Sequence, residues 1–452
     1  MRKYIMFFMG ILLSFSAMAD EFSEFDDFDD FSETSEEKTE INFEVNGKVG
    51  YEGRINFSDG TNDSLPFITL QTEFETSYFD IIGDFNMDKY EKYPVVEELF
   101  TRIYLNEKFQ VELGKEKLIW GKGDKVHLVN NINGTDYRDF INGEYRDDLI
   151  GENMVRLIYI PSINSEAKFE FVYTPEFTPD EFATSGPWTP YLFRRANTLL
   201  DPINKSLEDF EPNIEKFKND QAGFRFTNSV SGLDYGFSYY RGYEKQPTID
   251  KLLLYKAQLG DPAAIGNIMN GNLDVHYDRL DVFGIEASKV TIGGINGRFE
   301  TAYYMTSDSS GKDANVKNDR IGTLIGGDRD LGEFGLHNMN FNMQVKTIFL
   351  LDKSSVEDNP LDTDYNENGD YIKNTIIVKL QDKFKSDTIK PSVKFIWNVE
   401  GKDYAIMPEI EYIYEDNLYI TLGYNIYDGK ETTDIGQYRD NDYIYLGLEY
   451  NF

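Results

Sequence analysis

From Ile41 onward apolar and polar residues alternate. Ile41, Phe43, Val45, Val49, Tyr51, Ile55 and Phe57 are apolar, and Asn42, Glu44, Asn46, Lys48, Glu52, Arg54 and Asn56 stand between them. A period of two puts every apolar side chain on one face of a β-strand. The pattern returns along the chain: Phe224 and Phe226, then Leu233, Tyr235, Phe237 and Tyr239 beyond an SVSG turn, then 299–305, 339–349, 393–399 and 418–426. After the first twenty residues no apolar run is long enough to cross a bilayer as a helix. The sequence therefore predicts an all-β protein. Its apolar faces meet either the core of a soluble sandwich or the lipid around a transmembrane barrel.

Three features favour the barrel. The chain ends in strand: Ile444, Leu446, Leu448, Tyr450 and Phe452 alternate with Tyr443, Tyr445, Gly447, Glu449 and Asn451. This resembles the C-terminal signature of bacterial outer-membrane barrels, which implies that Tyr450 and Phe452 belong to the signal read by the barrel assembly machinery. The links alternate in length. Short ones fall near Ser77, 106–108, 161–165, 229–232, 291–294, 382–386 and 416–417, and between them lie long ones at 119–151, 175–220, 244–279 and 354–370. Parity demands one more strand near 320–326, followed by a tight turn near 329–333. The expected architecture is thus an up-and-down antiparallel transmembrane barrel of about eighteen strands, with sixteen as the alternative. The aromatic surplus, 31 Tyr and 34 Phe, then has a place in girdles at the membrane interfaces.

Residues 1–19 read as a secretory signal peptide. Arg2 and Lys3 lead, an apolar stretch follows, and Ala17-Met18-Ala19 offers a cleavage site. Cleavage there shifts the net charge from −35 to −37. Residues 20–40 are acidic, with Phe22, Phe25, Phe28 and Phe31 spaced by three. Such a segment buries too little apolar surface to offset its ordering entropy. It reads as a periplasmic tail, solvated or plugging the lumen, and residues 41–452 as the barrel. With no cysteine in the chain, a lipid anchor, a disulfide framework and a thiolate site are excluded.

The strongly negative charge suggests cation selectivity, but the strand faces carry both signs. Arg54, Arg102, Arg156, Arg225, Arg298, Lys346 and Lys394 alternate with apolar residues, and so do Glu112, Glu300, Glu409 and Glu411. These are the pore-lining candidates. Charge in loops and tail is screened within roughly 8 Å at physiological salt, so ion preference does not follow from the total. The arginines recurring on successive strands either form a ladder for an anionic solute or pair with wall glutamates to stiffen the barrel.

Residues 114–140 read GKEKLIWGKGDKVHLVNNINGTDYRDF. With Gly114, Lys115, Trp120, Gly121, Asp124, Asn133 and Asp136 matching, this stretch resembles an uncharacterised family of large outer-membrane barrels. That family carries G-[RK]-x-x-x-x-W-G, then an acidic residue, then an N-P-x-D-like turn. Gly134-Thr135 stands where the family often has Pro. The resemblance implies a porin-like barrel and no particular substrate. A link this long either folds inward to narrow the pore, with Trp120, Asp124, Asn133 and Asp136 at the constriction, or stays outside.

Asp364, Asn366, Asn368 and Gly369 resemble the start of a calcium loop, but Thr375 stands where the bidentate Glu belongs. Any Ca2+ binding there would be weak, and no other cofactor is expected. His127, His276 and His337 have no nucleophile motif around them, so no enzymatic activity is expected. The reading is a porin-like channel passing small hydrophilic solutes by passive or facilitated diffusion. The alternatives are a surface adhesin on a barrel scaffold, suggested by the long links, and a transporter of hydrophobic compounds. The expected partners are outer-membrane lipid and the assembly machinery, with a homotrimer compatible with the class and no nucleic acid.

Overall fold

The computed structural model describes residues 41–452, except 59, 89–93, 125, 140–146, 163–165, 292, 333–337 and 367–368. The signal peptide and acidic tail, with His337 and Asn368, lie outside the described residues. A single sheet of eighteen antiparallel strands closes on itself. In chain order they are β1 (Asn42–Asn56), β2 (Asn62–Glu75), β3 (Phe79–Met87), β4 (Val95–Asn106), β5 (Phe109–Glu116), β6 (Glu152–Tyr159), β7 (Lys168–Thr174), β8 (Gln221–Val230) and β9 (Leu233–Tyr243). The second half comprises β10 (Arg279–Val290), β11 (Asn296–Thr306), β12 (Arg320–Asp330), β13 (Asn340–Leu350), β14 (Ile372–Gln381), β15 (Ile389–Asn398), β16 (Asp403–Glu415), β17 (Leu418–Asp428) and β18 (Tyr443–Asn451). Each strand pairs with its neighbours in sequence, and β1 pairs with β18. The sixteen-strand alternative is thereby corrected. The strand demanded by parity is β12. The tight turn expected at 329–333 is not there, because Arg329 and Asp330 still pair with Phe341 and Asn340, and the link runs over 331–339.

Closure leaves no free edge in the sheet. At the seam Gly47 N–H donates to Phe452 O and Phe452 N–H to Gly47 O, both at 2.9 Å. The Phe452 ring lies over Gly47, where a Cβ would come within 2.4 Å of it. The outer face is apolar and exposed, as at Val49, Leu113, Phe171, Ile285, Ile325, Leu422 and Leu448. Charged side chains are buried on the opposite, inner face, among them Arg54, Glu112, Glu170, Arg225 and Glu300. That inversion of a soluble protein is what a lipid-facing barrel requires.

Both described termini share one end of the barrel with the links 76–78, 107–108, 160–167, 231–232, 291–295, 331–339, 382–388 and 416–417. The long links, 117–151, 175–220, 244–278 and 351–371, leave from the other. Two of them carry helices of eight residues or more, α1 (Tyr191–Leu200), α2 (Lys251–Gln258) and α3 (Pro262–Met269), and link 351–371 carries the single turn Ser354–Glu357. Asp250 and Asp261 cap α2 and α3 by accepting the N–H groups of Leu253 and Ala263. The helices pack through Ala196, Leu200, Leu207, Phe210, Ile268 and Val275 into a roof with its own apolar core.

Candidate functional site: the inward loop and the lumen wall

The link 117–151 folds into the barrel. Trp120 is fully buried, and with Leu118, Leu128, Val129 and Ile132 it packs on inward side chains of β7, β9, β10, β11 and β12: Val172, Tyr240, Val282, Ala302 and Leu324. Glycines hollow the wall beneath these contacts. A Cβ at Gly223 would meet the Trp120 ring at 2.7 Å, and one at Gly284 would meet Val129 at 2.5 Å. Burying a large apolar side chain contributes about 1.5–3 kcal/mol, so these contacts hold the loop strongly.

One carboxylate organises the loop's backbone. Glu300 on β11 is wholly buried. Its Oε1 accepts the N–H groups of Lys122 (2.7 Å) and Gly123 (2.6 Å), and its Oε2 those of Leu128 (2.6 Å) and Val129 (3.4 Å). His127 Nδ1 lies 3.3 Å from Oε1. Gly121 permits this approach: its φ is +109°, and a Cβ there would sit 2.4 Å from Oε1. A carboxylate ringed by backbone donors is a strongly held anion.

Further contacts carry the loop across the lumen. Asp124 accepts Asn342 Nδ2 at 2.7 Å on β13 and faces Arg298 at 3.8 Å. Asp139 takes both Arg54 terminal nitrogens, at 2.8 and 2.7 Å, on β1. The Trp120 indole donates to Glu170 (3.1 Å), and Tyr304 OH donates to Leu128 O (2.7 Å). Asn133 accepts Leu118 N–H and donates to the carbonyls of Glu116 and Ile150. Asp136 is half-buried, binds Arg138, and with Tyr137 forms a short parallel pair with Glu181–Phe182. Lys245 donates to Ile132 O at 2.7 Å, and burial pushes its ammonium down to about 8 despite Glu152 and Asp180 nearby.

The wall arginines are paired. Arg102 binds Glu112 (2.8 Å), and Arg156 binds Glu112 and Glu116 (both 2.6 Å) and Glu170 (3.2 Å). Arg225 binds Glu286 at 2.5 Å and Arg298 binds Asp328 at 2.8 Å. Directly opposed residues share a face, so the register also turns Asp80, Asp84, Glu98 and Glu152 inward. The alternation read from the sequence passed over these four acids.

The loop covers the wall from β5 to β13. On β14–β18 and β1–β3 the lower inner face stays half-exposed, including Lys394, Glu409, Glu411, Tyr445, Glu449 and Glu73. Lys346 is half-buried on β13. Lys390 binds Glu411 at 2.8 Å, and Tyr445 OH donates to Glu409 at 2.5 Å. A recess of about 200 Å³ lies here between Glu52, Arg54, Phe67, Glu409, Tyr443 and Glu449. Above it Trp188 of link 175–220 packs on Tyr427, Tyr438 and Tyr443.

In the roof, Asp364 accepts Asn318 N–H (2.7 Å), and Asn366 Nδ2 donates to Asp370 O. The Lys251 ammonium takes the carbonyls of Asp362 and Thr363 at 2.8 and 3.1 Å. Among the described residues no three His, Cys, Asp or Glu side chains come together to hold a metal ion. His276 lies 3.2 Å from Asp274 through Nδ1 and 3.2 Å from Asp278 through Nε2. The Asp278 contact raises the imidazole's pKa above its usual value.

Sequence reasoning missed the clasp formed by Glu300, the Asp139 arm and the hollows at Gly223 and Gly284. The available signal was inward parity: glycine, Val172, Val282 and Leu324 stand where polar residues belong.

No curated protein sequence matches the chain. Among solved structures it is similar to Pseudomonas aeruginosa OccK11 (OpdR), at 8% identity and a TM-score of 0.51 over 91% of this chain and 96% of that one. It is also similar to P. aeruginosa OccK2 (OpdF), solved in complex with glucuronate, at 8% identity and a TM-score of 0.51 over 91% and 98%. For P. aeruginosa OccK5 (OpdH) the values are 11%, 0.50, 91% and 98%. The likeness is one of fold, that of outer-membrane porins. Residues 96–452 match the profile of the family described as protein of unknown function DUF1302, and the chain belongs to that family.

Proposed function

We propose that the protein is an outer-membrane channel through which small hydrophilic solutes diffuse down their gradient. One observation carries this reading: the inward loop covers only part of the wall and leaves the lower inner face of β14–β18 and β1–β3, with Lys394, Glu409, Glu411 and Glu449, half-exposed inside the barrel. Solutes pass between that face and the loop. Lys346, Lys394, Glu409, Glu411 and the outer rim of the Arg54 recess line the passage. Arg102, Arg156, Arg225 and Arg298, held by carboxylates, stiffen the wall beside it, and Trp120, Asp124, Asn133 and Asp136 set the loop that narrows it. The mixed signs along that face support a passage without strong preference for either ion charge. The test is conductance in planar bilayers with reversal potentials under a salt gradient. Discrete steps with a permeability ratio near unity support the reading. A folded barrel that never conducts refutes it and favours the adhesin.

A further inference from the structure

The recess on β16–β18, β1 and β2 is hollowed out of the wall by glycines. The register puts Gly50, Gly423 and Gly447 on the inner face together with Phe67, Tyr445 and Glu449. A Cβ at Gly50 would run into the Phe67 ring, and one at Gly423 into the Tyr445 ring. Each ring is thus laid over the neighbouring strand, half-buried, with a face toward the lumen. Gly447 lines the same recess, and a Cβ there would meet nothing nearer than Thr421, at 3.5 Å.

The upper half of the recess shows what such a surface holds. The Arg54 guanidinium lies 4.7 Å over the Tyr443 ring, between Glu52 at 2.5 Å and Asp139 at 2.7 Å. This is a cation seated between an aromatic face and carboxylates. The lower half repeats the pattern with Phe67, Tyr445, Glu409 and Glu449. Among the described residues no cation of the protein lies over either of those rings. Glu409 accepts the Tyr445 hydroxyl, and Glu449 has Lys48 at 4.0 Å, with that side chain 43% exposed. Neither carboxylate is closely neutralised.

The rest of the lumen lacks this combination. The carboxylates of β5–β12 are matched by Arg102, Arg156, Arg225 and Arg298 or by the loop backbone. The inner face of β13–β15 carries Lys346, Lys373, Lys379, Lys390 and Lys394 and no acid. Acids gather again lower down at Glu44, Glu73 and Glu75, but their inward neighbours are Asn42, Asn46 and Gln71, and no ring stands among them.

We propose that the lower half of this recess binds a small organic cation, an amine or quaternary ammonium, with its charge between Glu409 and Glu449 and its apolar part on Phe67 and Tyr445. The volume of about 200 Å³ is below the roughly 300–1,000 Å³ of sites for drug-sized ligands, so the ligand is small. The site deepens the channel reading by naming a solute class, and only the passage of the bound cation rests on that reading. Binding rests on the recess alone.

The test is calorimetric titration of the purified full-length barrel in detergent, at fixed ionic strength, with choline chloride and with its uncharged isostere dimethylbutanol. Choline should saturate one site per barrel, and the isostere should bind about tenfold more weakly or worse. Glu409→Gln and Glu449→Gln should each weaken choline by about tenfold. Glu75→Gln removes the same charge outside the recess and should change the affinity by less than about twofold. Choline that never saturates, an isostere that binds equally well, or a Glu75→Gln loss as large as that of Glu409→Gln overturns the proposal. The comparison of the two ligands needs no variant, so a substitution that fails to fold does not remove the test. A barrel that binds choline in this way but never conducts in bilayers refutes the channel and leaves the site standing.

Discussion

Replacing Glu300 by alanine removes one acceptor from four backbone donors. Two of them, Leu128 and Val129, are buried, and a buried donor left unpaired costs about 1–3 kcal/mol. Those two alone set the loss at roughly 2–6 kcal/mol. The donors at Lys122 and Gly123 lie nearer water and add less. The opposing term is the burial of Trp120, Leu128, Val129 and Ile132, at about 1.5–3 kcal/mol each. Ordering the loop takes back about 1–2 kcal/mol per residue in backbone entropy. The clasp therefore decides whether the middle of the loop stays seated. The eighteen-strand ladder contains no loop residue, so the barrel remains closed. A loss of about 2 kcal/mol raises the open population roughly thirtyfold. Trypsin cleavage after Lys122 reads that population directly, and single-channel conductance reads the widened passage. Glu300→Ala should be cleaved faster by about that factor and conduct more, with Glu300→Gln between it and wild type. Cleavage at the wild-type rate in a correctly folded Glu300→Ala barrel would show that the clasp does not hold the loop.

Gly284→Val fills the hollow under Val129, where a Cβ already meets that side chain at 2.5 Å; it should expel the loop and raise conductance, whereas Gly266→Ala, with open space around it, should change neither conductance nor heat stability. The Arg54–Asp139 arm should show coupling of about 1 kcal/mol or more in a double-mutant cycle read by urea unfolding, since both partners lose a bidentate pair; additive effects would remove the arm from the picture. His276 gains its partners in the folded roof and its pKa is raised, so its contribution is fully present below the unfolded value of about 6.5 and is lost as pH rises through the raised one. Proteolysis of link 244–278 should accelerate across that window, and His276→Gln should flatten the profile.

Most of the fold was legible because two-residue alternation is a local signal. Even β12, whose Gly322, Gly326 and Gly327 blur the pattern, was demanded by the parity of long and short links. The helices of links 175–220 and 244–278 were not legible. Their apolar faces are shared among three short segments, and no single one shows a sustained period. The inner face is only partly legible in local alternation. The arginines were identified, but their pairing depends on register. Arg156 faces Glu112 only because β5 and β6 align residue 112 with 156, and no local feature sets that offset. Glu300 looked like any other wall glutamate, since its role comes from a loop about 170 residues earlier in the chain.

The residues of the G-[RK]-x-x-x-x-W-G stretch acquire individual reasons once the loop is seated. Gly114 has φ +140°, and a Cβ there would lie 2.2 Å from Leu99 O, so the strand can pack its end against β4 only with glycine. The Lys115 ammonium ties that end down through Val96 O at 2.6 Å. Six residues after Gly114, Trp120 fills the hollow over Gly223, and Gly121 opens the approach to Glu300. The spacing thus measures the distance from the end of β5 to the clasp on β11, across the lumen. Asp124 and Asn133 then fix the outgoing and returning arms, on Asn342 and on the backbone of Glu116 and Ile150. Read this way the stretch is a lock rather than a ligand site. Its residues face the wall and not the passage, which explains how a loop this strongly specified can leave the solute unspecified. The side chains that a solute would meet, Lys394, Glu409 and Glu411, lie outside the stretch on β15 and β16. Substitutions there should change permeability without loosening the loop, and Trp120→Ala should do the reverse, speeding cleavage after Lys122 with the charge of the passage unaltered.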